Sequence, residues 1–432
     1  MERKIIEALK RWKASPKRMP LLLGGARQVG KTYTALTFGK QYYKNTAYFN
    51  MEDSSEIISI FERDLDPARI VSELSVKLGE AIYPDDTLII FDEIQACERA
   101  LTSLKYFCEK APQYHIIAAG SLLGVALKRE KYSFPVGKVD MMTLYPLDFE
   151  EFLWATGHEK LCAMIQDSFS GFTPLSLHDT ALDLYKTYLV VGGMPKAVSE
   201  YVETKDFDFV TAAQKSLNDA YIADMAKYAT PQDTTRIMAA WGSVPAQLSK
   251  ENHKFQYKVI KSGARAYEYE TAIDWLKAAG MVNICTRVRE GKMPLAAFAD
   301  NDSFKLYMMD TGLLCSKFSI AANVVLHSPH SFDGFKGALA ENYIMQALTV
   351  NGFEPFYWSS PGKAELDFVI QDRSGNILPL EGKSADNVKA KSLRTFVSLY
   401  EPPYAIRVSA KNFGFENNIK SIPLYALFCL KP

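Results

Sequence analysis

Gly25-Ala26-Arg27-Gln28-Val29-Gly30-Lys31-Thr32 is a complete G-x-x-x-x-G-K-T loop, set where such a loop must lie to hold a phosphate chain. Ahead of it, Leu21-Leu22-Leu23 is an apolar run of strand length; behind it, Thr32 to Lys40 reads as a helix. Glycine lets the backbone curl until several N–H groups face one anion, and the helix N-terminus adds its positive dipole end. Gly25 through Thr32, with Tyr33, are therefore the expected ATP-binding residues. Lys31 reaches the β- and γ-phosphates, and the Thr32 hydroxyl ligates Mg²⁺.

A second segment agrees. Thr87-Leu88-Ile89-Ile90-Phe91 is a continuous apolar run ending in Asp92-Glu93. Strands buried on both faces of a parallel sheet read this way, and ligands bind beyond their carboxyl ends. Asp92 is expected to organise Mg²⁺ and Glu93 to polarise the attacking water. A third strand, His115-Ile116-Ile117-Ala118-Ala119, ends at Gly120-Ser121. Ser121 suits a sensor of the γ-phosphate or the nucleophilic water, and suits a helix cap equally well. Tyr48-Phe49-Asn50 ends a further strand, with Glu52 and Asp53 as loop or cap residues.

The chain has 432 residues, enough for two to four domains, and is 48% hydrophobic with 23% charged residues. Its 50 basic and 50 acidic residues cancel, so any nucleic-acid or anionic-surface binding must come from local patches. No apolar run approaches the ~20 residues of a membrane span. The basic N-terminus lacks the apolar core and cleavage site of a secretory signal; Ile5, Ile6, Leu9 and Trp12 instead mark one face of a short helix. Six cysteines without C-x-x-C pairs argue against zinc and a disulfide framework, and fit a reducing cytoplasm. The histidines show no ligand spacing.

Residues 1–155 alternate strands and helices as a doubly wound α/β domain does, with Asp148 as a helix cap. Residues 156–235 read as a helical lid interrupted at Gly192-Gly193-Met194-Pro195, with Tyr221, Asp224 and Tyr228 as interface or packing residues. Over 236–300, helical patterns precede Val282–Val288 and a turn at Gly291, suggesting a winged helix. Lys250, Lys254, Lys258, Lys261 and Arg265 there face either nucleic-acid phosphates or solvent.

Residues 301–432 carry a second constellation. In Glu365-Leu366-Asp367-Phe368, alternation puts the two acids on one face, and in Glu381-Gly382-Lys383 the acid and lysine share a face. A hairpin of these strands gathers Asp367, Glu381 and Lys383, with Glu341 joining from a helix. This is the D…E-x-K pattern of Mg²⁺-dependent nucleases. Surface acids paired with lysine give the same pattern, and Gly382 is an unusual residue for a central strand.

These motifs together resemble a large bacterial and archaeal family of AAA-type P-loop ATPases with a C-terminal domain of unknown function. The Walker A loop, Asp92-Glu93-Ile94-Gln95, Gly120-Ser121, Pro146–Phe152, Gly192–Pro195, Lys305–Leu314 and the Glu365-x-Asp367…Glu381-x-Lys383 strands carry the likeness. The resemblance implies a P-loop NTPase core, a winged-helix segment and a restriction-endonuclease-like PD-(D/E)xK fold. It implies an ATPase using ATP and Mg²⁺ but no settled biological role; for the C-terminal half, DNA and a protein partner are the two rival expectations. Two departures stand out: Gly137-Lys138 replaces the family's Gly-Arg, and Gly382 replaces an apolar residue. If Lys138 or Arg129 serves a neighbouring subunit's nucleotide, an oligomer is required.

Overall fold

The computed structural model describes the whole chain except residues 122, 127–134, 251–253, 328–332, 361–363 and 384–390. It divides into two compact units: Glu2–Tyr145 with Ala278–Gly280, and Pro146–Lys277 with Met281–Pro432.

The first unit is built on five parallel strands: β1 Leu21–Gly24, β2 Asn45–Asn50, β3 Thr87–Asp92, β4 His115–Ala119 and β5 Asp140–Thr143. Their order is β2-β3-β4-β1-β5. All of β3 and β4 is buried, as their unbroken apolar runs require. One side of the sheet packs Leu22, Phe49, Ile89, Phe91 and Ile116 against Phe61, Ile70, Leu74, Leu101 and Phe107. The N-terminal helix, Ile5–Ala14, buries Leu9 and Trp12. Because β4 lies between β3 and β1, the residues that follow these three strands gather at one edge. These are Glu93, Ser121 and the glycine loop.

The second unit contains an eight-stranded mixed sheet of β6 Val282–Val288, β7 Ala299–Met308, β8 Phe356–Ser359, β9 Glu365–Gln371, β10 Ile377–Lys383, β11 Ala405–Ser409, β12 Gly414–Glu416 and β13 Ile419–Pro423. Its order is β12-β13-β11-β10-β9-β8-β6-β7. The β9–β10 hairpin is antiparallel, as its sequence indicates.

Two expected boundaries fall inside elements. The lid was to end at 235, but helix Pro231–Leu248 begins at the Thr230 cap, with proline in its first turn, and runs through that point. A boundary at 300 would cut β7, and β6 pairs with β8 as well as with β7. The ribbon read as a wing is thus continuous with the C-terminal sheet. Gly291 lies in the connection between the antiparallel β6 and β7, as the hairpin reading expects; a Cβ there would meet the Phe396 ring at 2.3 Å, so close packing also fixes its size.

Glycine contacts explain two other motifs. Asp310 is buried and caps helix Thr311–Phe318 through the Leu313 N–H at 2.9 Å. It also accepts the Gly193 N–H at 2.6 Å. A Cβ on Gly193 would lie 1.9 Å from the Leu147 carbonyl oxygen, and one on Gly192 would lie 2.3 Å from Asp310 Oδ1. Burial raises the Asp310 carboxyl to about 6, against the pull of its backbone donors. Tyr221, buried, packs edge-on to Trp241 at 6.3 Å.

Candidate nucleotide site

Between β1 and helix Lys31–Tyr42 the backbone takes positive φ at Gly25, Gln28 and Gly30. At Gly25 nothing larger fits: φ is +132° and a Cβ would lie 2.1 Å from the Leu144 carbonyl oxygen. Val29 is fully buried, and its carbonyl accepts the Arg3 guanidinium at 2.9 Å. Arg3 also bonds the Tyr145 carbonyl at 2.6 Å. Sequence reasoning missed this support, because a basic residue near the chain start reads as surface.

Lys31 is buried, and its Nζ donates to the Ala26 and Gly25 carbonyls at 2.8 and 3.1 Å. The Thr32 hydroxyl donates to Asp92 Oδ2 at 2.7 Å, so the two expected Mg²⁺ residues stand together. Tyr48, not singled out from sequence, donates to the same oxygen at 2.9 Å. Ala26 is buried, Arg27 half-buried, and Gln28 and Tyr33 exposed.

Glu93 adopts a left-handed conformation, φ 48° and ψ 45°. Its Oε2 accepts Gln95 Nε2 at 2.5 Å and the Ser121 hydroxyl at 3.3 Å. The base and the sensor expected from sequence are therefore in contact. Lys138 pairs with Glu109 at 3.1 Å, while Arg129 lies outside the described residues.

These residues fit a magnesium nucleotide on the structure's own terms. The cradle admits no Cβ at Gly25, a lysine ammonium lies inside the loop, and a hydroxyl and a carboxylate share one point.

Residues 17–153 match the family model of an AAA domain. This part of the chain is similar to AAA domains. Beyond that stretch, residues 182–323 and 336–427 match models of two domains of unknown function, DUF8612 and DUF4143. Among solved structures, the chain is similar to the Walker-type ATPase PABY2304 of Pyrococcus abyssi, at 14% identity and a TM-score of 0.46, over 73% of this chain and 95% of that one. It is similar to the Aeropyrum pernix ORC2 protein at 13% identity and a TM-score of 0.38, over 74% and 91%. A third is the Thermotoga maritima RuvB Holliday junction branch migration motor, at 13% and 0.31, over 66% and 89%. No curated protein matches the sequence.

In the second unit the expected acids group around a residue that sequence reasoning did not place there. Lys305 of β7 is buried, with Nζ 3.2 Å from Glu341 and 2.8 Å from Glu365. Burial alone would lower its pKa, but the Glu341, Glu365 and Asp367 carboxylates outweigh it and raise it. The Tyr307 hydroxyl bonds Glu341 at 3.1 Å. Burial, and then Glu341, raise Asp367 to about 7; its Oδ2 accepts the Gly382 N–H at 2.9 Å. Lys383 pairs with Glu381 at 2.9 Å, and one buried Glu381 oxygen has no hydrogen-bond partner among the described residues. Gly382 has a spatial reason: a Cβ there would lie 2.6 Å from Ile344 Cδ1. Among the described residues, no three carboxylate, imidazole or thiolate groups are placed to hold one metal ion. The basic stretch divides: Lys258, Lys261 and Arg265 are exposed, whereas Lys250 bonds Gln256 Oε1 at 3.1 Å. No helix among the described residues is long and apolar enough to cross a membrane.

Proposed function

We propose that the protein binds ATP and hydrolyses it with Mg²⁺, and that nucleotide state controls the second unit. The observation that carries this reading is the 2.7 Å bond from Thr32 to Asp92 beside the Lys31 ammonium. Loop N–H groups and the helix N-terminus bind the phosphates, and Lys31 exchanges its loop carbonyls for phosphate oxygens. Thr32 and Asp92 hold the metal, which supplies charge neutralisation at the phosphates when bound. Glu93 takes a proton from water as its oxygen bonds the γ-phosphorus and the bond to the β–γ bridging oxygen breaks, leaving ADP and phosphate. Ser121 reports the γ-phosphate. Lys31→Ala is expected to abolish turnover; undiminished turnover in the purified variant excludes this site.

Two readings of the second unit have support. The exposed Lys258, Lys261 and Arg265 favour a nucleic-acid contact. It predicts a gel shift that weakens steeply with salt, and no shift at low salt with or without ATP rejects it. The Lys305 ammonium among the acids favours the other: a switch that binds a protein partner on an inert nuclease-like scaffold. Absence of Mg²⁺- or Mn²⁺-dependent nicking, with ATP-dependent and nuclease-resistant co-purification of a protein, supports it. Nicking lost in Asp367→Ala rejects it.

A further inference from the structure

Glu93 cannot act on water unless its carboxylate is held, and it sits at the end of a strand on a left-handed residue, outside any long helix. Two donors converge on one of its oxygens. The Gln95 amide donates to Oε2 at 2.5 Å, and the Ser121 hydroxyl reaches the same atom at 3.3 Å. Both come from short, fixed segments. Gln95 lies in the 3₁₀ turn Ile94–Ala96, whose Ala96 N–H bonds the Glu93 carbonyl at 2.9 Å. Ser121 lies just beyond β4, separated from its last residue by Gly120 alone. Gln95 and Ser121 are both buried, while Glu93 is half-buried, so the donors are enclosed and the carboxylate stays partly open.

The neighbouring glycine makes the arrangement specific. Gly120 has no need of a positive φ, yet a Cβ on it would lie 2.3 Å from Gln95 Oε1. The space a side chain would take at 120 is filled by the Gln95 amide. The Gly120-Ser121 pair thus does two things at once: it leaves room for Gln95 and supplies the second donor to Glu93.

We infer that Gln95 is the positioning residue for Glu93, its amide occupying Oε2 so that Oε1 is the oxygen presented to the attacking water. The inference rests on the ATPase reading above and adds a residue to it. Ser121 is then wired to the base through a shared acceptor, so displacement of Ser121 by the γ-phosphate changes how the base is held. A carboxylate with one oxygen fixed has fewer unproductive orientations, which is where the rate gain lies.

The test measures steady-state ATP turnover together with calorimetric affinity for a magnesium complex of a non-hydrolysable ATP analogue, on the full chain. Gln95→Ala is expected to lower kcat by about tenfold or more, the scale of one hydrogen bond to a charged group, with KM and analogue affinity within about twofold. Gln95→Glu, which keeps the shape but sets a second carboxylate against Glu93, is expected to be slower than Gln95→Ala. A Cβ in Gly120→Ala would meet Gln95 Oε1, the end of a flexible side chain, at 2.3 Å and Leu123 Cγ at 3.0 Å, with no backbone atom among its close neighbours, so the amide is pushed away while Leu123 gives by a few tenths of an ångström. This variant is expected to reproduce the kcat loss, and the Gln95→Ala/Gly120→Ala double variant to be no slower than either single one. Unchanged kcat in Gln95→Ala, fully additive losses in the double variant, or a loss confined to analogue affinity overturns the inference. Those outcomes stand apart from failure of the ATPase reading, which appears as turnover that survives Lys31→Ala.

Discussion

The Asp310 carboxylate accepts the Gly193 N–H at 2.6 Å, joining two loops 117 residues apart in the chain. Gly193 can approach because it lacks a side chain, its missing Cβ facing the Leu147 carbonyl oxygen at 1.9 Å. Gly193→Ala must therefore displace backbone, not a flexible side-chain end. It is expected to destabilise the fold by about 3 kcal/mol, the upper range for overpacking. Urea unfolding followed by tryptophan fluorescence checks this.

The Arg3 guanidinium holds the Val29 and Tyr145 carbonyls, one on the glycine loop. Arg3→Ala leaves one buried and one half-buried carbonyl without their charged donor. A stability loss of about 3 kcal/mol is expected, together with weaker nucleotide binding. Denaturation and calorimetry on the same preparation separate the two effects.

Tyr48 and Thr32 both donate to Asp92 Oδ2. Tyr48→Phe removes one donor with little change of shape. Nucleotide affinity in the presence of Mg²⁺ is expected to change by about fivefold, the scale of one net hydrogen bond. Affinity measured without Mg²⁺ should change less.

His115 gives a pH dependence. Burial first, and then the Arg18 charge, lower it from 6.5 to about 4, while Asp85 pulls the other way and Lys13 adds to the lowering. Its ring contacts Tyr43, whose hydroxyl bonds Nδ1 at 2.7 Å. The unfolded chain therefore binds the extra proton between pH 6.5 and 4. The neutral ring's full contribution is present above pH 6.5 and is lost as pH falls towards 4, on the order of 3 kcal/mol in all. His115→Gln is expected to flatten the fall in stability between pH 7.5 and 5 relative to the unaltered protein. Equal slopes in the two proteins would reject this assignment.

The geometry of the candidate site was legible where its residues are neighbours in sequence. Gly25 to Thr32 carries its own spacing, and the apolar runs of β3 and β4 end at the residues they present. The Asp148 cap was readable too: its side chain accepts the Glu151 N–H, and the Glu151 side chain returns the bond. What stayed hidden acts across long separations. Tyr48 meets Asp92 44 residues on, and Arg3 meets Tyr145 across 142. Lys305 stands in an ordinary strand pattern, and nothing beside it in sequence marks its ammonium as buried. Gly291 does lie in the β6–β7 connection and Gly382 read as an anomaly; what the sequence hid is that approaching side chains fix the size of both. Boundaries failed where composition does not change: helix Pro231–Leu248 and β7 run straight through them.

Lys305 lies in the stretch matching one family model, residues 182–323, and its partners Glu341 and Glu365 in the stretch matching the other, 336–427. An ammonium stripped of both acids would be left buried with its main counter-charges gone. The two stretches are therefore tied as an inheritance: a gene fusion or truncation that parted them at the intervening residues would have to replace the lysine, the acids or both before either half was tolerable.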